Sequence, residues 1–148
     1  MHATFNSKLL ELFFKKIIPN QVLDVSLRHI LKNGFMIRDQ CYILKELYQP
    51  HIKISDCFNR IGYECFTNSI HIDDYVSDNI FEQTLLFIEN LIQIWDQLQN
   101  GLNLKILLGQ TDFGFNIKFH IERIGEEWIN ENELHIFDEA ILIITSGS

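Results

Sequence analysis

Before Pro50 the apolar residues recur mostly at helical spacing, whereas after it alternating runs bracket one long helical stripe. Residues 7–18 read as a helix: Asn6 or Ser7 can cap it, Leu9, Leu10, Leu12, Phe13, Phe14 and Ile17 form its stripe, and Pro19-Asn20 ends it. Residues 21–33 read as a second helix, with Val22, Leu23, Leu27, Ile30 and Leu31 inward and Gly34 at the left-handed C-cap. Asp39 to Gln49 reads as a third helix closed by Pro50, with a strand at Cys41 to Leu44 as the competing reading.

Beyond Pro50, residues 63–72 (YECFTNSIHI) read as one long strand or a pair broken near Asn68. The strongest periodicity lies at 78–99. There Phe81, Leu85, Ile88, Leu91, Ile92, Trp95 and Leu98 repeat at three and four residues, Ser77 or Asp78 can cap, and Gly101 follows the end. Leu104 to Leu108 reads as a buried strand. Gln110 to Gly114 reads as a hairpin connection with Gly114 available for positive φ. Phe115, Ile117, Phe119 and Ile121 alternate with Asn116, Lys118, His120 and Glu122, which predicts one buried and one wet face. Residues 125–138 form an acidic, irregular segment, and Ala140 to Thr145 a final strand in the sheet interior.

These elements predict a single α+β domain over 1–148. Its N-terminal helices (about 4–50) and one long helix pack on one face of a mainly antiparallel sheet formed by the strand–helix–strand–hairpin part, about 52–148. A chain of 148 residues buries roughly two thirds of its unfolded surface, enough for a core without covalent staples. With 47% apolar and 12% aromatic residues and two prolines, a disordered or collagen-like chain is excluded. Cys41, Cys57 and Cys65 are odd in number and form no CxxC, so reduced, mostly buried thiols are expected. No apolar run approaches the roughly 18 residues of a membrane span. No secretory signal is visible, so a cytoplasmic location is expected.

Charge alters this picture. Residues 1–53 hold eight basic and four acidic side chains, 54–120 three and nine, and 121–148 Arg123 against seven carboxylates; the net charge is −8. Such asymmetry bears on steering and partners rather than on fold. It also argues against a nucleic-acid-binding surface, which needs clustered Lys and Arg.

Candidate chemistry is sparse. His71 and Asp73, on one face of a strand, would offer two metal ligands without an identifiable third; the competing reading gives Asp73 and Asp74 to a turn. Cys57, Cys65 and His71 match no zinc-motif spacing. His29 and His120 read as isolated surface or rim imidazoles. Gly109 and Gly114 have phosphate-loop spacing but lack the following Lys and Ser/Thr. Glu126 and Glu127 are adjacent, so in an extended segment they point apart and do not flank one bond. A carboxylate ring around an aromatic anchor fits recognition better: Trp128 at the centre, with Glu126, Glu127, Glu131, Glu133 and Asp138 around it and Asp73 and Asp74 as a second group. The competing reading has Trp128 tucked into the sheet and the glutamates merely solvated. No catalytic residue, cofactor or metal is called for.

In size, charge and the run Tyr63 to Glu82 (YECFTNSIHIDDYVSDNIFE) leading into the long helix and a terminal hairpin, the chain resembles the small acidic α+β immunity proteins. These are paired with bacterial polymorphic and contact-dependent growth inhibition toxins. The resemblance implies an antitoxin rather than an enzyme, with a cognate basic protein toxin as partner, often a nuclease; it transfers no functional residue. The alternative is a small acidic secretion-type chaperone acting as a homodimer, so monomer and homodimer stay open. An enzyme with a dispersed active site is a third class.

Overall fold

A computed structural model describes residues 2–5, 22–136 and 139–146. Along them run β1 (His2–Phe5), α1 (Val25–Leu31), β2 (Phe35–Arg38), β3 (Cys41–Leu44), α2 (Arg60–Thr67), β4 (Ser69–His71), α3 (Ile80–Asp96), β5 (Leu104–Gln110), β6 (Phe115–Ile121) and β7 (Ile141–Ser146). Short 3-10 segments occupy 45–47, 54–56, 72–74 and 131–136. The architecture is α+β. Five strands form an antiparallel sheet in the order β1-β7-β5-β6-β4, and β2 and β3 form a separate hairpin. Both β4 and β5 run antiparallel to β6, so they are parallel to each other with β6 between them, and α3 makes the crossover.

One face of the sheet carries the main core. Ile106, Leu108, Phe115, Ile117, Phe119, Leu142 and Ile144 meet Phe87, Ile88, Leu91 and Trp95 of α3, and Leu27 and Ile30 of α1 join them. Aromatic rings set the geometry at one end: Phe35 and Tyr42 of the hairpin each stand edge-on to Trp95 with centroids 5.2 Å apart. The Trp95 indole donates to the Leu102 carbonyl, 3.2 Å away, so its one polar atom is satisfied. The start of α1 is tied to α3 by Gln83, whose amide accepts from Asp24 N–H (2.8 Å) and donates to the Val22 carbonyl (2.9 Å).

The long helix, the β5–β6 hairpin and the interior position of the last strand match the sequence reading. β7 lies between β1 and β5 and buries Leu142 and Ile144 on one side, Ile141 and Ile143 on the other, which explains its unbroken apolar run. Of the first two helices read from sequence, residues 7–18 lie outside the described residues and the second is α1. The third is overturned: Cys41–Leu44 is a strand, and the N-terminal part therefore contains a hairpin. The first half of the strand read at 63–72 belongs to helix α2, and only Ser69–His71 is a strand. Asn79, rather than Ser77 or Asp78, occupies the α3 N-cap, at φ 54° and without a side-chain capping bond. Gly114 does not have positive φ. It is needed for close approach, because a Cβ there would come within 2.7 Å of Asp73 Oδ1.

Candidate functional site

The second face of the sheet departs most from its reading. Its β6 positions were expected to be wet, yet α2 and the segment 123–136 cover it. Ile61 and Cys65 of α2, Ile129 and Leu134 pack on Leu107, Ile141 and Ile143. Beneath this cover lie polar side chains: Lys105 and His120 are buried, and Lys118 is half-buried.

Helix α2 exists because both its flanks are used. Asn59 caps it, its side chain accepting from Gly62 N–H at 2.7 Å. Its inner residue Glu64 and its C-cap Asn68 are fully buried and join β3 to β6 in place of main-chain pairing. Glu64 accepts from Tyr42 N–H (2.7 Å) and Ile121 N–H (3.3 Å). It also pairs with Arg123 at 2.5 Å. Asn68 accepts from Leu44 N–H (3.1 Å) and donates to the carbonyls of Tyr42 (2.9 Å) and Phe119 (3.3 Å). Burial raises the Glu64 carboxyl above its ordinary range, against the opposing pull of Arg123 and the two amides.

His120, expected at a rim, is buried. Its Nδ1 lies 2.7 Å from the Ile121 carbonyl, and its Nε2 is buried without a hydrogen-bond partner. Burial lowers its pKa, so it is held neutral. Burial likewise pushes the Cys41 thiol up to about 11 and Cys65 up to about 12, so neither is a thiolate nucleophile near neutrality. His29 is exposed, 3.6 Å from a Glu46 carboxylate oxygen. Among the described residues no group of three or more His, Cys, Asp or Glu is arranged to hold a metal. The His71–Asp73 pairing fails geometrically, because the strand ends at His71 and Asp73 sits in the 72–74 segment. There Asp73 packs on the β5–β6 turn, with Oδ1 buried and lacking a hydrogen-bond partner, while Asp74 is exposed.

The acidic segment divides into two kinds of carboxylate. Glu131 turns inward and pairs with Lys105 at 3.2 Å, which Glu122 also approaches at 3.9 Å. Glu126 and Glu127 make no ion pair among the described residues, although a Glu127 oxygen accepts from Glu131 N–H at 3.4 Å. Glu133 falls in the 131–136 segment, and Asp138 lies outside the described residues. Trp128 is neither fully tucked in nor free. It is 45% exposed, one side lies near Gly62 of α2, and the Lys118 amine stands 5.8 Å from its ring centroid. One turn along α2 from Gly62, Phe66 is 60% exposed, and Phe58 just before the helix is fully exposed. These aromatics were not singled out in the sequence. Their exposure follows from the helix that the alternation concealed.

Beside Trp128 the second face opens into a cleft of about 220 Å³, floored by Leu107, Gly109 and Ile141 and walled by Ile129, Trp128 and Lys118.

A family model described as the uncharacterized protein PM0498 family matches residues 4–148. The chain belongs to that family. A curated relative, the uncharacterized protein PM0498 of Pasteurella multocida (strain Pm70), is 33% identical over 86 residues, 55% of this chain and 54% of the relative. The chain thus spans about half the length of that relative. No solved structure matches the chain. The family match includes α2, the whole of β4 to β7 and the 123–136 segment, so the covered face and its cleft lie within it. No helix among the described residues is long and apolar enough to cross a membrane.

Proposed function

We propose that this chain is a protein-binding inhibitor of the immunity type, acting in the cytoplasm without catalysing a reaction. It would neutralise a cognate basic toxin, a nuclease being the best fit to an acidic surface. The observation that carries the reading is Trp128. It stands half exposed next to Glu126 and Glu127, which spend no charge on internal ion pairs among the described residues, and Phe66 and Phe58 are exposed on and beside the adjoining helix. A rigid aromatic anchor flanked by unpaired carboxylates supplies contact area and electrostatic steering together. The net charge of −8 extends that steering to long range at low salt. Glu131 plays a different part: it holds the covering segment down on Lys105 and contributes to the contact only indirectly.

The test is co-expression with the product of the neighbouring gene, scored as rescue of growth. Association kinetics of the purified pair across a salt series would follow. Rescue, with association that slows as salt rises, supports the reading; a protein that binds no basic partner and rescues no growth overturns it. A homodimeric chaperone is favoured by one observation, the exposure of Val22 and Val25 at the start of α1. Mass in solution separates the two, since the chaperone reading requires an obligate dimer.

A further inference from the structure

The cleft beside Trp128 opens directly over Gly109. Gly109 lies in the middle strand of three, paired with Asn116 on one side and Ile141 on the other. A glycine there forgoes strand propensity and cross-strand packing, and it commonly marks a place where something else approaches the backbone. Its φ is not in the left-handed region, so backbone conformation does not require it. No neighbouring atom requires it either: a Cβ built on Gly109 meets nothing within 4 Å. The space above it is the cleft.

The lining specifies what fits. The floor and two walls are apolar, from Leu107, Ile141, Ile129 and the Trp128 ring. Lys118 contributes the cation. Its amine faces the Trp128 ring, and among the described residues it has no carboxylate within ion-pair distance, unlike Lys105 and Arg123 on the same face. A half-buried ammonium without a counter-ion favours an anion brought in by a ligand. Glu139 also lines the cleft, and Lys118 is the one cation among the residues lining it, so a single negative charge on the ligand is matched. The volume, about 220 Å³, lies below the roughly 300–1,000 Å³ that hold drug-sized molecules.

We infer that this cleft binds a small amphipathic monocarboxylic acid, its aromatic or branched aliphatic body resting on Gly109 and its carboxylate on the Lys118 ammonium. The site adjoins the contact surface proposed above and shares Trp128 with it, but Gly109 belongs to the cleft and Glu126 and Glu127 do not line it.

Phenylacetate and 4-methylpentanoate, with phenylacetamide as the neutral match, are suitable probes against the full chain, read by calorimetry and by amide chemical shifts of β5 and β6. At least one acid is expected to saturate in the millimolar range or tighter and to bind about tenfold more tightly than the amide, as a charge-assisted hydrogen bond would give. Lys118→Met should abolish that preference. Gly109→Val, which fills the space with a residue suited to a strand, should leave thermal stability unchanged or raised while abolishing binding of acid and amide alike. The inference is overturned if neither acid binds, if acid and amide bind equally to the unaltered chain, or if Gly109→Val binds as before. Because Glu126 and Glu127 are untouched, loss of probe binding in Gly109→Val with intact partner binding separates this site from the proposed inhibitory surface.

Discussion

The two faces of the central sheet are built from the same strands and covered in opposite ways. The face under α3 and α1 is dry, with Trp95, Phe87, Leu91, Phe119 and Ile106 all essentially without solvent exposure. The face under α2 carries Lys105, Lys118 and His120 among its aliphatic residues and is closed by a charged, partly irregular segment. Apolar burial fixes the first without directionality. The second is held by pairings that have both direction and sign: Glu64 on Arg123, Glu131 on Lys105, Lys118 under Trp128. If the proposed function holds, stability and recognition fall on opposite sides of one sheet.

Truncation on the dry face should break this comparison most severely. Trp95→Ala removes a buried indole, its bond to Leu102 and two edge-on aromatic contacts, and should cost about 3–5 kcal/mol in urea unfolding with an unchanged slope. On the polar face, Glu64→Ala strands Arg123 and two backbone N–H groups. Arg123 keeps some access to water, so roughly 2–3 kcal/mol is expected, less than for a fully enclosed pair.

A pH series sharpens the contrast, because the polar face holds His120 and Glu64, whose ionised forms burial disfavours. His120 is held neutral by burial, so below about pH 6.5 the unfolded chain binds a proton that the folded chain refuses. Its contribution is therefore present above that pH and is lost as pH falls toward the depressed folded value, at no more than about 1.4 kcal/mol per pH unit. Glu64 acts with the opposite sign: its raised pKa gives a contribution present below the ordinary carboxyl range and lost as pH rises through the folded value. His120→Gln should flatten the slope just below pH 6.5 and leave the more acidic limb in place, as seen in denaturant midpoints across pH. The smallest effect on folding is expected from Glu126→Lys with Glu127→Lys. Stability should stay within about 0.5 kcal/mol, while association with a basic partner slows and loses its salt dependence.

How much of this was legible follows the same division. The stripe from Phe81 to Trp95 and the alternation from Phe115 to Ile121 each present one apolar face to one core, and periodicity reports such an arrangement faithfully. Helix α2 defeats it. Its apolar residues Ile61, Tyr63 and Cys65 fall at every second position, and it is buried on nearly all sides, including at Glu64 and Thr67, so neither spacing nor polarity marks an outer face. Once α2 is read as a strand, the cover over β6 disappears, and Lys118 and His120 seem to belong to solvent. The acidic ring was half visible: Trp128 and its two glutamates do lie together, whereas Glu131 answers to Lys105, 26 positions earlier, and Asp73 and Asp74 belong to a separate turn near Gly114. Spacing along a chain carries no information about such long-range partners.

The amide and carboxylate of Asn68 and Glu64 stand where rungs of a ladder would otherwise join β3 to the sheet. The β2–β3 hairpin can therefore detach without a main-sheet rung being broken, and its protons should exchange with deuterium ahead of those in β5 and β6. The same helix turns Phe66 outward. A partner gripping that ring would hold the clasp shut, and occupancy outside would be felt as slower hairpin breathing within.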